Sequence, residues 1–332
     1  MPASSLSNDN RKKTQSTLHD LKVVVLAGGV GGAKLADGVA QILPPENLSI
    51  VVNTGDDFKH LGLTICPDLD TVMYNLAGID NPATGWGRQG ESWRTITEVG
   101  RIGGPDWFKL GDLDLAVHLT RSHLLAKGCT LTEATRHICD HYGIKTQLLP
   151  MSDQPAPTMI ACEEGLLPFQ NWFVKRQWQP AVQEVRLPED VKTTSQVALA
   201  LERTDLILIA PSNPFVSIDP ILNVYPIRAM VADLPKLVVA VSPIIAGEAV
   251  KGPAAKMMGE MGMEVSSVAV AVYYGDLIDV FVFDQRDSSL YKQEGSLKDL
   301  VTFQTDTIMR DRQDRRHLAQ QILDFSMELF NK

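Results

Sequence analysis

The feature that most constrains this fold is a glycine-rich run, residues 28–32, placed between a strand-like segment and a helix-like segment. Residues 23–27 before it are all apolar, which is typical of a strand buried on both faces of a parallel sheet. An amphipathic stretch over 33–43 follows it and predicts a helix. A helix that starts at such a loop presents free backbone N–H groups and the positive end of its dipole to one point. The run therefore predicts an anion-binding loop in an α/β fold.

A cluster of acidic residues follows the next predicted strand, residues 48–52. Asp56 and Asp57 come just after that strand, and Asp68 and Asp70 follow within a short span. If the first two strands are parallel neighbours, these carboxylates lie beside the anion site. Carboxylates next to phosphates require a bridging Mg2+. We therefore predict a magnesium-dependent nucleotide-diphosphate site, with Asp68 expected to be the N-cap of the helix that follows.

The α/β pattern resumes late in the chain, after a middle region with a different pattern of helices and short strands. Further apolar strands are predicted late in the chain, at 205–210, 237–241 and 279–283, and a closing helix at 315–330. The middle holds a polar Trp-bearing stretch, helical patterns and short strands punctuated by proline, over 84–101, 112–126, 131–141 and 145–188. We predict an α/β fold with a Rossmann-like, mostly parallel sheet, helices on both faces, and a helical plus small β-rich insertion at about 84–190. Residues 21–332 are expected to form a single domain and residues 1–20 a disordered tail.

Charge and cysteine usage narrow the classes of partner. The formal net charge is -9 and the pI is about 5.3, whereas nucleic acids and anionic membranes are bound mainly by basic surfaces. The four cysteines include no CxxC pair, so neither a zinc module nor a disulfide scaffold is predicted. No segment approaches the apolar length of a membrane span or a signal peptide. We expect a cytoplasmic protein that binds small molecules and neither nucleic acid nor membrane.

Two common nucleotide-binding motifs do not fit the glycine loop. A Walker A motif would need Ser or Thr after the lysine, but Leu35 follows Lys34. A dinucleotide fingerprint would have glycine at Lys34 and an acidic residue at Asn53, which disfavours an NAD-dependent dehydrogenase. Elsewhere, Lys109 directly after Trp107 and Phe108 fits either a clamp for a flat anionic ring or an ordinary lysine before a helix.

Several short motifs occur together along the chain, at 26–34, 53–57, 66–71, 109–112, 149–153, 211–214 and 240–244. In combination they resemble the family of 2-phospho-L-lactate transferases (CofD/FbiA) of coenzyme F420 biosynthesis, from about Lys22 to Arg286. The combination is far more specific than any single motif. The resemblance implies transfer of a phospholactate, phosphoenolpyruvate or 3-phosphoglycerate unit from a guanosine-diphospho donor to the deazaflavin Fo. It also implies release of GMP and a requirement for Mg2+.

The same resemblance implies roles for individual residues. Asp70 and Lys109 would contact Fo. The metal would be bound by Asp56 with Asp70, and Asp57 is a further candidate ligand. Asp56 and Asp70 are the candidate catalytic residues. Asp70 is also a candidate to accept the proton of the attacking hydroxyl. Many relatives carry arginine where Leu113 stands, and Arg121 is the candidate to replace it. The phosphates and the nucleotide would be bound by Gly28, Gly29, Gly31, Gly32, Asn53, Ser212 and Asn213.

The main alternative function is a non-catalytic regulator that binds a nucleotide sugar, as in the related gluconeogenesis-factor proteins, which share the glycine loop. The segment 109–112 and the Trp-bearing middle region favour the transferase, because a sensor needs no platform for a deazaflavin. A homodimer is expected, since homodimers are common among enzymes of this kind.

Overall fold

The computed structural model describes residues 17–287 and 300–331. Its helices are α1 (Gly29–Ala40), α2 (Pro67–Ala77), α3 (Arg94–Arg101), α4 (Asp112–Ala126), α5 (Leu131–His141), α6 (Ser195–Arg203), α7 (Asp219–Asn223), α8 (Ile227–Asp233), α9 (Ala254–Glu260), α10 (Ser267–Tyr274) and α11 (Arg312–Phe330). Its strands are β1 (Val23–Ala27), β2 (Leu48–Val52), β3 (Phe58–His60), β4 (Leu63–Ile65), β5 (Gln147–Pro150), β6 (Met159–Cys162), β7 (Gly165–Pro168), β8 (Glu184–Arg186), β9 (Leu206–Ile209), β10 (Leu237–Val241), β11 (Ile244–Ile245), β12 (Glu248–Ala249), β13 (Val280–Asp284) and β14 (Val301–Thr305). Of the predicted disordered tail, residues 1–16 lie outside the described residues, and Leu18–Asp20 forms a 3-10 turn.

The centre of the fold is a seven-stranded sheet in the order β14-β13-β10-β9-β1-β2-β5. Every pairing in this sheet is parallel, and β1 lies between β2 and β9. The chain runs outward from β1 through β2 to β5, and then returns to the other side of β1 to form β9. The strand order therefore reverses between β1 and β9, which is where doubly wound folds bind their ligands. The predicted Rossmann-like α/β sheet is confirmed.

Alternate residues of the central strands face two separate hydrophobic cores. On β1, Val24 and Leu26 pack into a core shared with α6, α8, α9 and α10. The intervening Val23 and Val25 pack into a second core shared with α1, α2, α5 and α11. This division explains why β1 is apolar at every position, because both faces of a parallel sheet are covered. Helices lie on both faces, as predicted.

Helix α1 begins at Gly29, inside the glycine loop, and not at residue 33 as the amphipathic pattern predicted. The difference arises from tertiary packing, since glycine is a poor helix former. A Cβ at Gly31 would lie 2.3 Å from the backbone oxygen of Pro211, so the first turn of α1 fits against the loop after β9 only without a side chain. Gly38 has the same role at the other end of α1, where a Cβ would lie 2.2 Å from the backbone oxygen of Arg315 in α11.

The middle of the chain combines the predicted helices with two kinds of strand. Helices α4 and α5 occupy the predicted ranges, and β6, β7 and β8 form a separate antiparallel sheet. Strand β5 lies inside the stretch predicted as an insertion, but it pairs with β2 at the edge of the central sheet. It does so because Leu148 and Leu149 are buried by the main cores. Within residues 17–287 and 300–331, no helix is both long and apolar enough to span a membrane.

Candidate active site

A cavity of about 740 Å3 lies at the carboxyl edge of the sheet, where the strand order reverses. Its walls include the loop after β1, the loop after β9 and residues from the middle region and the C-terminal part of the chain. Its lining includes charged and polar side chains from several elements: Lys34, Asp56, Asp68, Asp70, Lys109, Asp114, His118, Gln170, Ser212, Asn213, Lys251 and Arg310. The two halves of the sheet therefore share one crevice, as the strand ends predicted.

The glycine loop is fastened to the loop after β9 by Ser212. The Gly28 N–H donates to the Ser212 hydroxyl at 3.2 Å, and that hydroxyl donates to the Gly28 carbonyl at 2.7 Å. A Cβ at Gly32 would lie 2.6 Å from the Ser212 oxygen, so this glycine is needed for packing. Gly29 is different, since its φ is +61° and a Cβ there would meet no atom within 4 Å. Gly29 is therefore required for its left-handed backbone conformation at the start of α1, and not for packing.

Two buried carboxylates form an acidic wall beside this loop. Asp56 accepts a hydrogen bond from the Gln170 amide at 2.8 Å, whereas its other oxygen is buried with no partner among the described residues. Asp68 accepts from the Asn53 amide at 2.9 Å and from the Gly29 N–H. Burial raises the pKa of Asp68 to about 6. Burial, followed by the charges of Asp68 and Asp57, raises the pKa of Asp56 well above its ordinary value.

The chemistry of this wall fits a divalent cation. An unpartnered buried carboxylate oxygen is costly in a protein interior unless a cation neutralises it. Carboxylate oxygens are also the ligands that Mg2+ prefers. Asp56 offers such an oxygen, and Asp68 is close enough to raise the pKa of Asp56 electrostatically. The predicted Mg2+ therefore has a suitable donor set in Asp56 and Asp68.

The sequence pattern predicted Asp68 as the N-cap of α2, and this prediction is wrong. The helix begins at Pro67, its N-cap position is Cys66, and Asp68 faces the cavity from the first turn. Asp57 lies behind the wall, where the Cys66 thiol donates to it and burial raises the pKa of its carboxyl group. The burial of Cys66 raises the pKa of this thiol well above its usual range, so the thiol keeps its proton and can donate.

Asp70 is held by a buried arginine from α4. Both terminal nitrogens of Arg121 donate to the two oxygens of Asp70, one of them at 3.0 Å. Burial lowers the pKa of Arg121, but Asp70, Cys66 and Tyr74 together raise it by more, so the net shift of the pKa is upward. Among the described residues that line the cavity, Arg121 is absent. Its expected role as a substitute phosphate contact for the arginine missing at Leu113 is therefore wrong, because the guanidinium is used by Asp70.

A second polar group adjoins Asp70. His118 Nδ1 lies 3.5 Å from an oxygen of Asp70, and His118 Nε2 lies 3.4 Å from Asp114. Among the residues that the structure describes, Asp70, Asp114 and His118 are the group of three whose ligand atoms all lie within 4.8 Å of one another. The guanidinium of Arg121 already supplies a positive charge there. This group therefore has less need of a cation than Asp56 and Asp68.

Aromatic side chains form the apolar part of the cavity. Phe169 and Phe173 are stacked, with ring centroids 5.3 Å apart and an interplanar angle of 9°. Phe108 and Trp86 also line the cavity, and Lys109 follows Phe108 directly. Trp107 instead packs edge-on against His60 at 5.2 Å. Flat rings beside an exposed lysine suit a planar substrate that carries carbonyl or anionic groups.

The predicted site residues are mostly brought together. Those that line the cavity are Gly28, Gly29, Gly31, Asp56, Asp70, Lys109, Ser212 and Asn213. The described residues that line the cavity do not include Gly32, Asn53 or Asp57. The Asn53 side chain instead donates to the Asp68 carboxylate and accepts a hydrogen bond from the Gly55 N–H at 2.7 Å. Seven of the polar lining residues named above were not predicted as ligand contacts: Lys34, Asp68, Asp114, His118, Gln170, Lys251 and Arg310. Only Lys34 and Asp68 had a local signal, because each lies inside a motif.

Comparison with known proteins agrees with these findings. Residues 23–323 match the family described as 2-phospho-L-lactate transferase CofD. The chain is 41% identical over 267 residues to a 2-phospho-L-lactate transferase from Methanosarcina mazei, covering 80% of this chain and 88% of that relative. It is 42% identical over 277 residues to a phosphoenolpyruvate transferase from Kitasatospora aureofaciens, covering 80% and 86%. A crystal structure of a UPF0052-family protein from Bacillus halodurans shares the fold, with a TM-score of 0.61 at 15% identity over 91% of this chain and 99% of that one.

Proposed function

The chain belongs to the 2-phospho-L-lactate transferase CofD family, and we propose that it transfers a phospho-acid unit from a guanosine-diphospho donor to the hydroxyl of the deazaflavin Fo. The new bond joins the Fo oxygen to the phosphorus that carries the acid, and the bond to the GMP phosphate breaks. GMP leaves, and the product belongs to coenzyme F420 biosynthesis. The acid is a phospholactate, phosphoenolpyruvate or 3-phosphoglycerate unit, and relatives named for the first two are matched at similar identity.

The observation that carries this proposal is the composition of the cavity. The N-terminus of α1 at the glycine loop, the buried carboxylates of Asp56 and Asp68, and an aromatic wall with Lys109 all face one space. The first two suit a diphosphate with its metal ion, and the third suits a deazaflavin ring. A regulator that binds a nucleotide sugar would need only the first. The cavity thus has room and chemistry for a donor and an acceptor together.

The metal would be held by Asp56 and Asp68, with Asp70, which the resemblance implies as a ligand, reaching the same cavity. When bound, Mg2+ neutralises charge on the phosphate oxygens that react. The remaining work is positioning, because phosphoryl transfer depends mainly on in-line geometry and electrostatic stabilisation. Asp57 would act indirectly, through the charge it places next to Asp56.

Asp70 is the residue we propose as acceptor of the Fo hydroxyl proton. It lines the cavity, and the two donors of Arg121 fix its orientation. A carboxylate within reach of the attacking hydroxyl can take its proton as the phosphorus–oxygen bond forms. An Asp70→Asn variant should therefore bind Fo while losing turnover. Near-normal turnover of that variant would exclude the role.

The test is a mass-spectrometric assay of the purified protein with Fo, Mg2+ and the three candidate donors in competition. An Fo adduct would establish the transferase, and its mass would identify the donor acid. Omission of Mg2+, with a chelator present, should abolish the adduct. Lys109→Gln is the matched variant for the acceptor side, and it should raise the KM for Fo without changing donor affinity. Absence of any adduct, together with thermal protection by a UDP-sugar, would favour the regulatory alternative.

A further inference from the structure

A pair of lysines lies beside the first turns of α1 and has no part in the roles described above. Lys251 donates from its ammonium group to the Thr84 carbonyl at 3.1 Å. A Cβ at Gly85 would lie 2.3 Å from Lys251 Nζ and 3.1 Å from Val30 Cγ1, so this ammonium group lies close to Val30. Lys34 is one helical turn after Val30 and on the same face of α1. Both lysines line the cavity.

Neither ammonium group forms an ion pair within the described part of the chain. Lys34 donates to the Met309 carbonyl at 2.6 Å, and in the described part of the chain neither Lys34 nor Lys251 lies within 4.0 Å of a carboxylate oxygen. Burial, then the positive charges of Arg315 and Lys251, lowers the pKa of Lys34 by more than the carboxylates of Asp80 and Asp314 raise it. An ammonium group has three donors, so each lysine keeps donors for a ligand. Arg310, which also lines the cavity, is by contrast paired with Asp314 at 3.3 Å.

We propose that Lys34 and Lys251 bind the carboxylate of the phospho-acid unit that is transferred. This inference rests on the proposed function. All three candidate donors carry a carboxylate in addition to the diphosphate, which is expected at the glycine loop. Asp56 and Asp68 would be occupied by the metal ion, whereas the lysine pair lies beside the same loop and has no carboxylate within 4.0 Å in the described part of the chain. The pair would thus recognise the feature that the donors share and GDP lacks.

The experiment compares two ligands on the intact protein, by calorimetric titration with Mg2+ and without Fo, so that no transfer occurs. The ligands are GDP and the guanosine-diphospho derivative of phosphoenolpyruvate. In Lys251→Gln we expect the Kd of the donor to rise about tenfold or more, as for loss of a charge-assisted hydrogen bond, while the Kd of GDP stays within about twofold. Lys34→Gln should have the same selective effect. Lys251→Arg should bind the donor nearly as tightly as wild type.

The control is Lys145→Gln, which removes the same charge from an exposed lysine just before β5 and should leave both ligands unaffected. Equal weakening of GDP and donor in the Lys251 variant would mean that the lysine binds the diphosphate, and would overturn the proposal. Unchanged affinities would overturn it as well. Two results together would separate this inference from the proposed function. If Lys251→Gln selectively weakens donor binding but the wild-type protein forms no Fo adduct, the proposed transfer is refuted and the carboxylate site remains supported.

Discussion

Helix α1 contains two glycines that meet a neighbouring backbone in the same way but at opposite ends of the helix. A Cβ at Gly31 would lie 2.3 Å from the Pro211 oxygen beside the cavity, and one at Gly38 would lie 2.2 Å from the Arg315 oxygen in α11. We predict that Gly31→Ala and Gly38→Ala destabilise the protein to a similar extent. Only Gly31→Ala should also weaken GDP binding, because it separates the glycine loop from the loop after β9.

The size of the effect follows from two opposing terms. Each added methyl group forces a backbone oxygen to retreat by about 1 Å, and overpacking of this kind costs about 1–3 kcal/mol, at the upper end where backbone must move. Replacing glycine by alanine inside a helix returns about 1 kcal/mol. The free energy of unfolding should therefore fall by about 2 kcal/mol in each variant. For a chain of this length, that loss lowers the Tm by about 3 °C.

Urea denaturation and calorimetric titration with GDP would measure the two effects on the same preparations. Gly259→Ala in α9 is the control, since a Cβ there meets no atom within 4 Å. This variant should be unchanged or more stable, by up to about 1 kcal/mol. Wild-type stability of Gly31→Ala would refute the packing argument. A loss of GDP affinity in Gly38→Ala equal to that in Gly31→Ala would show that the binding defect comes from general destabilisation.

Three further predictions concern the carboxylates of the cavity. Asp56→Asn should lower kcat about 100-fold in the mass-spectrometric assay and yet raise the Tm without Mg2+, because it removes a buried charge with an unpartnered oxygen. Asp68, whose pKa burial raises from 3.8 to about 6, favours its neutral form in the folded protein. The free energy of unfolding should therefore decrease as the pH rises from 4 to 6, by about 3 kcal/mol at most, in urea titrations without Mg2+, and Asp68→Asn should remove this slope. Arg121→Met leaves the Asp70 carboxylate buried and unpaired, so it should cost about 3–5 kcal/mol by urea denaturation, and Asp70→Asn in the same chain should recover part of that loss.

Much of the fold could be predicted because its strands are buried on both faces. Val23–Ala27 and Leu48–Val52 are apolar at almost every position, and this pattern alone indicates a parallel sheet with helices on each side. The start of α1 could not be predicted in the same way. Glycines 29, 31 and 32 predict a loop by their propensity, whereas the close packing of Gly31 against Pro211 and of Gly32 against Ser212 involves residues that are distant in sequence.

In the candidate site, too, the features with a local sequence signal could be predicted, whereas those that depend on distant residues could not. Asp56 was identified because it follows the buried strand β2, and Asp70 because it lies in the first turn of the helix that comes next. The partners that decide their behaviour come from far along the chain, since Gln170 is 114 residues from Asp56 and Arg121 is 51 residues from Asp70. Neither pairing has a motif of its own. Asp68 had a local signal, but its position at a helix start fitted an N-cap equally well.

The four carboxylates of the acidic motifs are thus in different electrostatic states, and this difference determines what each can do. Arg121 neutralises Asp70, and Asp57 lies behind the wall with the Cys66 thiol as its donor. Asp57 also has a buried oxygen without a partner among the described residues, but only Asp56 and Asp68 of these three line the cavity, and two negative charges match one divalent cation. Asp68 also accepts the Gly29 N–H, which is the donor that a phosphate at the start of α1 would use. A cation that neutralises Asp68 should therefore favour binding of the diphosphate, and the diphosphate should favour binding of the cation. We expect donor affinity to depend on Mg2+ for this reason. The carboxylate involved is the same one that lowers the stability of the ligand-free protein as the pH rises.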